Sequence, residues 1–176
     1  MSTKLADKVN QAYGLCDELD GLGYGIGYGY KERDSLKAEF VTFILYFSMA
    51  DGEITDKDAE FLKDCLDVEQ DKEMMTNLYN VMCRDNIVYQ EKDYGAQVPA
   101  TILSYVDKDN RIYASSGDDS KSVAGFVADV YNSIGNELLA DASDEVKSKL
   151  SLFMNRIVDY IHENLAYDNP CDFDVK

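Results

Sequence analysis

The chain has 176 residues, 45% of them hydrophobic and only two of them proline, which is enough to bury one core and excludes wholesale disorder. Its 34 acidic residues against 17 basic ones give a formal charge of −17. That balance disfavours nucleic acid and anionic membranes and favours cations or basic protein surfaces.

No linker rich in Pro, Ser or Gly divides the chain, so residues 1–176 read as a single domain. The four cysteines, Cys16, Cys65, Cys83 and Cys171, form no CxxC pair. The first three fall at apolar helical positions and the fourth in a loose tail over 168–176, a usage that fits a reducing, cytoplasmic compartment. The opening MSTKLADKVNQAYGLCDELD lacks the apolar core of a signal peptide, and the longest apolar run, 40–47, is too short to span a membrane.

In chain order, Leu5, Val9, Ala12, Cys16 and Leu19 recur at helical steps and predict an amphipathic helix ending near Gly21. GLGYGIGYGY over 21–30 follows. Its alternating glycines oppose a helix on entropic grounds, so it reads as a mobile loop whose tyrosines offer a contact surface or lid. A helix from near Asp34 or Ser35 to Met49 has almost no polar face and is expected to be the spine of the core.

The segment SMADGEITDKDAEF then turns sharply. Gly52 permits a positive φ, Ile54 anchors inward, and Thr55 with Asp58 forms a capping-box-like start to a helix with an Ala59, Leu62, Cys65, Leu66 stripe. Met74, Met75, Leu78, Val81 and Met82 predict a fourth stripe, a gap-filling core element more than an adaptable surface. Residues 87–89 and 111–113 are short apolar patches compatible with extended backbone. Pro99 begins a short helix carrying Ile102, Leu103 and Val106.

A longer helix over 120–139 turns Val123, Phe126, Val127, Val130, Ile134 and Leu138 inward, with Gly125 and Gly135 permitting close contact. The last helix is capped by Ser143, and Val146, Leu150, Phe153, Ile157, Ile161 and Leu165 form its stripe. The class is therefore all-α, a compact bundle of about seven helices. A weak repeat pairs Ile44, Ala50 and Asp51 with Ile134, Ala140 and Asp141, then Thr55 and Leu62 with Ser143 and Leu150, which predicts two pseudo-repeated helical hairpins.

Chemistry concentrates at the turn, where Asp51, Glu53, Asp56 and Asp58 crowd together. An EF-hand is excluded because Phe47 and Met49 stand where its first ligands belong, and the partial match of Asp107, Asp109 and Asp118 fails at Arg111 and Ile112. Two readings stay open. Asp51, Glu53 and Asp58 converge on a hard cation, Ca2+ or Mg2+, or the carboxylates serve the helix start while Glu53 faces water. His162, the only histidine, sits in a helix and reads as a surface or partly packed residue. No GxSxG, GxGxxG or Walker element is present, so no enzyme is expected.

The run FVTFILYFSMADGEITDKDAEFLKDCL resembles the tellurite-resistance protein B (TerB-like) family, with Ala50, Asp51, Gly52, Ile54 and Phe61 carrying the likeness. It departs in having Asp58 where glutamate is usual and in lacking a glycine at the second turn, near Asp141. The resemblance implies an all-helical fold, carboxylate-based divalent-metal binding and a place in bacterial stress-response or envelope-linked complexes. Carried over, the metal ligands are Asp51, Glu53 and Asp58, with Asp141, Asp144 and Glu145 as a second, less well matched set. The expected function is a non-enzymatic, TerB-like protein-interaction module. The alternative is an acidic inhibitor or immunity-type protein that occupies a basic partner surface.

Overall fold

A computed structural model describes residues 3–84 and 94–168. Among the described residues there are seven α-helices: α1 (Thr3–Gly21), α2 (Glu32–Ala50), α3 (Asp56–Leu66), α4 (Lys72–Tyr79), α5 (Ala100–Ser116), α6 (Val123–Leu138) and α7 (Asp144–Asn164). No strand occurs among the described residues, and the all-α expectation holds. No described helix is long and apolar enough to cross a membrane.

The central position expected of α2 follows from its sequence. Phe40, Phe43, Ile44, Leu45 and Phe47 are all fully buried, and the helix touches each of the other six. Around it the rings of Phe40 and Tyr131 meet edge-on at 4.9 Å, Phe43 and Phe47 lie 4.8 Å apart, and Phe43 reaches Phe153 of α7 at 5.3 Å. Such pairs add about 0.5–1.5 kcal/mol each beyond burial.

Gly135 is where α6 and α7 close. A Cβ there would lie 2.6 Å from Leu150 Cδ1 and 3.2 Å from Phe43 Cζ, whereas one on Gly14 of α1 would meet nothing within 4 Å. Gly135→Ala is therefore expected to cost about 1–3 kcal/mol by overpacking. Gly14→Ala is expected to gain about 1 kcal/mol of helix propensity. Thermal denaturation of the two variants checks the contrast.

Three expectations need correction. Residues 111–113 are helical, and the helix begun at Pro99 is long, because α5 continues to Ser116 and ends at Gly117 with φ 68°. Its apolar stripe is broken by the buried charges Lys108 and Asp109, so the apolar periodicity stops early in the sequence. In the methionine segment only Met75 is fully buried, while Met74 and Val81 are 51% and 64% exposed. Met74 lies on the outer side of α4 ahead of buried Met75, and beyond Tyr79 the helix widens into a π-helical turn, Asn80–Arg84, which carries Val81 out of register with the stripe.

The expected Ser143 cap is present, accepting from the Val146 amide, and α6 starts at Val123 behind a Ser122 cap that accepts from the Gly125 amide. Residues 87–89, Cys171 and nearly all of the 168–176 tail lie outside the described residues. Just before that tail, the Tyr167 hydroxyl donates to the Lys121 carbonyl at 2.7 Å, laying the chain back over α5 and α6.

Candidate functional site

The turn between α2 and α3 has the geometry its residues predict. Gly52 adopts φ 115°, Ile54 is 5% exposed, and Thr55 caps α3. The Asp58 amide donates to Thr55 Oγ1, while Asp58 Oδ2 accepts from the Thr55 amide and hydroxyl, each at 2.7 Å. Asp56 points to Lys72 at 3.3 Å, and Asp51 and Glu53 are exposed.

Capping thus occupies one oxygen of the Asp58 carboxylate. Among the described residues no group of three or more His, Cys, Asp or Glu side chains is placed to hold a metal ion, so Asp51, Glu53 and Asp58 are not gathered. The second set is similar: Asp141, Asp144 and Glu145 are exposed, and Glu145 pairs with Lys149 one turn along α7. Asp58→Ala is expected to cost about 1 kcal/mol, the worth of a cap, whether or not calcium is present. Melting curves with chelator and with calcium check this.

Buried acids escaped the sequence reading. The Asp109 carboxylate, on α5, accepts from the Val123 amide at 3.1 Å and from the Ala124 amide and Ser122 hydroxyl at 3.0 Å, closing the start of α6. Its likeness to an EF-hand position has this capping role instead. Glu39, on α2 and half-buried, accepts from the Tyr131 hydroxyl at 3.2 Å and faces the start of α5, where the amides of Ala100 and Thr101 act to lower its carboxyl. Burial raises both carboxyls above their usual range, against the lowering effect of these hydrogen bonds. Asp20 closes the start of α2 by accepting from the Glu32 amide at 3.2 Å. Gly25 lets the glycine-rich loop pass Asp20, since a Cβ there would strike the carboxylate.

Glu32 and Lys108 form an ion pair inside the bundle, their side chains 3% and 9% exposed. Lys108 also lies 5.7 Å from the centre of the Tyr105 ring, and the Tyr105 hydroxyl meets Cys16 Sγ at 3.3 Å. Burial pushes the Cys16 thiol up to about 11 and the Cys65 thiol to about 12, so both are inert packing groups. Cys83 is half-buried in the π-helical turn, and His162 is exposed in the last turn of α7.

The site with room for a partner lies elsewhere. A groove of about 750 Å3 opens between the second half of α1, the end of α5 and the first half of α6. Leu15, Leu19, Ile112, Val123 and Phe126 give it apolar walls, Glu18, Asp118 and Asp129 stand at its rim, and Lys121 is its one lysine. Asp129 is paired with Lys8 at 2.6 Å. Asp118 holds the Ser120 amide and hydroxyl, which lowers its carboxyl below the usual range and keeps it charged.

Leu22, 64% exposed, lines the groove where the chain leaves α1 for the glycine-rich loop, in which Ile26, Tyr28 and Tyr30 are 45%, 101% and 70% exposed. The loop is anchored there by Tyr24, whose ring lies 5.3 Å from the Arg111 guanidinium, next to Ile112 in the wall. Tyr28 and three glycines of the loop have positive φ, which makes it a series of tight turns with outward side chains. No protein-family model matches the chain, and comparison with curated proteins and with solved structures finds no match.

Proposed function

We propose that the chain is a non-enzymatic, acidic protein-interaction module that receives its partner at the groove beside α1. The observation carrying this reading is an open groove with apolar walls that ends at exposed Leu22, next in the chain to a loop that exposes Ile26, Tyr28 and Tyr30. Contiguous exposed apolar surface with a polar rim is a usual mark of an interaction site. The positive φ of Gly52, the buried Ile54 and the all-helical bundle support the TerB-like reading, and with it a role in a bacterial stress response. The free thiols of Cys16 and Cys65 support a reducing, cytoplasmic setting. The turn at 51–58 serves in this proposal as a rigid joint, with any divalent cation at Asp51 and Glu53 a secondary ligand.

A second reading, an acidic inhibitor or immunity-type protein, is favoured by the net charge of −17. In that case the outer acidic helix faces, not the groove, meet a basic partner. Capture from a host lysate, purification of the captured partner and binding to variants separates the two. Leu22→Asp is expected to abolish binding, while Leu152→Asp, at an exposed position of α7, leaves it intact. Unchanged binding by Leu22→Asp, or binding lost on chelation alone, contradicts the groove reading.

A further inference from the structure

Three features fix what the groove selects. Its long wall is α1 from Gln11 to its end at Gly21, roughly 15 Å or about three helical turns, with Leu22 just beyond. Its other long wall is also a helix, α6, and a slot between two helices with apolar sides is suited to the apolar stripe of a third. Its rim is acidic: Glu18 is exposed, and Asp118 is held charged, against one lysine.

The loop at its end adds a selectivity of its own. Tyr24 already receives the Arg111 guanidinium over its ring at 5.3 Å, which shows this loop presenting a tyrosine face to a cation. Tyr28 and Tyr30 are exposed on the same loop.

Resting on the interaction-module reading, we propose that the occupant is a basic amphipathic helix of a partner protein, about three turns long. Its apolar stripe lies between α1 and α6. Its lysine and arginine side chains reach Glu18 and Asp118 at the rim and the rings of Tyr28 and Tyr30 at the end. A basic side chain without an apolar stripe leaves the walls wet, and an apolar helix with acidic flanks meets like charge along the rim.

The test uses the full chain and a fluorescent synthetic helix of roughly 18 residues with leucines at i, i+3, i+4 and i+7 and lysine or arginine between them. Its isomer with glutamate in place of the basic residues is the comparison. Fluorescence anisotropy is expected to show the basic helix binding at least about tenfold more tightly than the acidic one, and losing affinity as salt is raised. Glu18→Lys and Tyr28→Ser with Tyr30→Ser are each expected to weaken it about fivefold or more. Asp64→Lys, an equal charge change on the exposed face of α3, leaves it within about twofold.

Equal loss in Glu18→Lys and Asp64→Lys overturns the proposal, because attraction would then be to net charge alone. Equal binding of both helices also overturns it, as does displacement by a simple alkylamine at the peptide's own affinity. Each of these three results leaves the interaction-module reading standing if the purified partner still needs Leu22. Loss of that Leu22 dependence defeats the reading itself.

Discussion

Replacing Lys108 with methionine is expected to destabilise the fold by about 3–5 kcal/mol, the largest effect of any single side chain discussed. The reason is what remains. Glu32 keeps a side chain that is 3% exposed, at the first position of α2, with its only buried cation removed. Water reaches it poorly, and the groups packed nearby, Tyr105 and Cys16, are weak substitutes for an ammonium.

For a chain of this size each kcal/mol moves the melting temperature by about 2–4 °C, so the variant melts about 6–20 °C lower. Glu32→Leu alone strands the lysine in the same way. The double variant, Glu32→Leu with Lys108→Met, is expected to recover most of the loss, since an apolar pair of similar volume needs no desolvation of charge. A double-mutant cycle read by denaturant unfolding gives the coupling. Additive losses contradict a buried pair.

Asp109→Ala is expected to cost about 3 kcal/mol, because three donors at the start of α6 lose their acceptor where solvent does not replace it. Asp109→Asn retains the shape and one acceptor oxygen and is expected to cost about half as much. The pH dependence separates this role from packing. Burial holds Asp109 and Glu39 above the ordinary carboxylate range, so between that range and their raised values the folded chain binds more protons than the unfolded one.

Their contribution to stability is then complete at low pH and is lost as pH rises through the folded values. The charge of −17 works in the same direction, since protonation relieves self-repulsion. Melting temperature is therefore expected to rise as pH is lowered from about 8 to about 5, with a shallower rise in Asp109→Ala. Asp118 and Glu69 have lowered carboxyls and act oppositely, but only below the ordinary range. A melting temperature that falls steadily over the same interval contradicts the assignment.

Local signals were the legible ones. The α2 stripe, the turn at Gly52 and the Thr55–Asp58 and Ser143 caps follow from a few adjacent residues, and each is present. What depends on residues far apart was not legible. Asp109 reaches forward to α6, Glu39 to α5, and Lys108 back to Glu32 across 76 positions.

A trace of these contacts does exist in the sequence. Lys108 and Asp109 follow Tyr105 by three and four residues and precede Ile112, and such a placement puts charge on the inward face of a helix. Charges there must be paired or capping, as these are. The crowded acids at 51–58 left a cation and a helix cap both open, since local density suits either, and the distances show the cap between Thr55 and Asp58. The groove needed the fold itself, since α1, α5 and α6 are brought together only by packing.

Amide hydrogen exchange of the full chain with its purified partner bound tests the groove directly. New protection is expected over 14–22 and 120–129, with α3 and α7 unchanged. Protection confined to the outer faces of α3 and α7, or to the turn at 51–58, would contradict it.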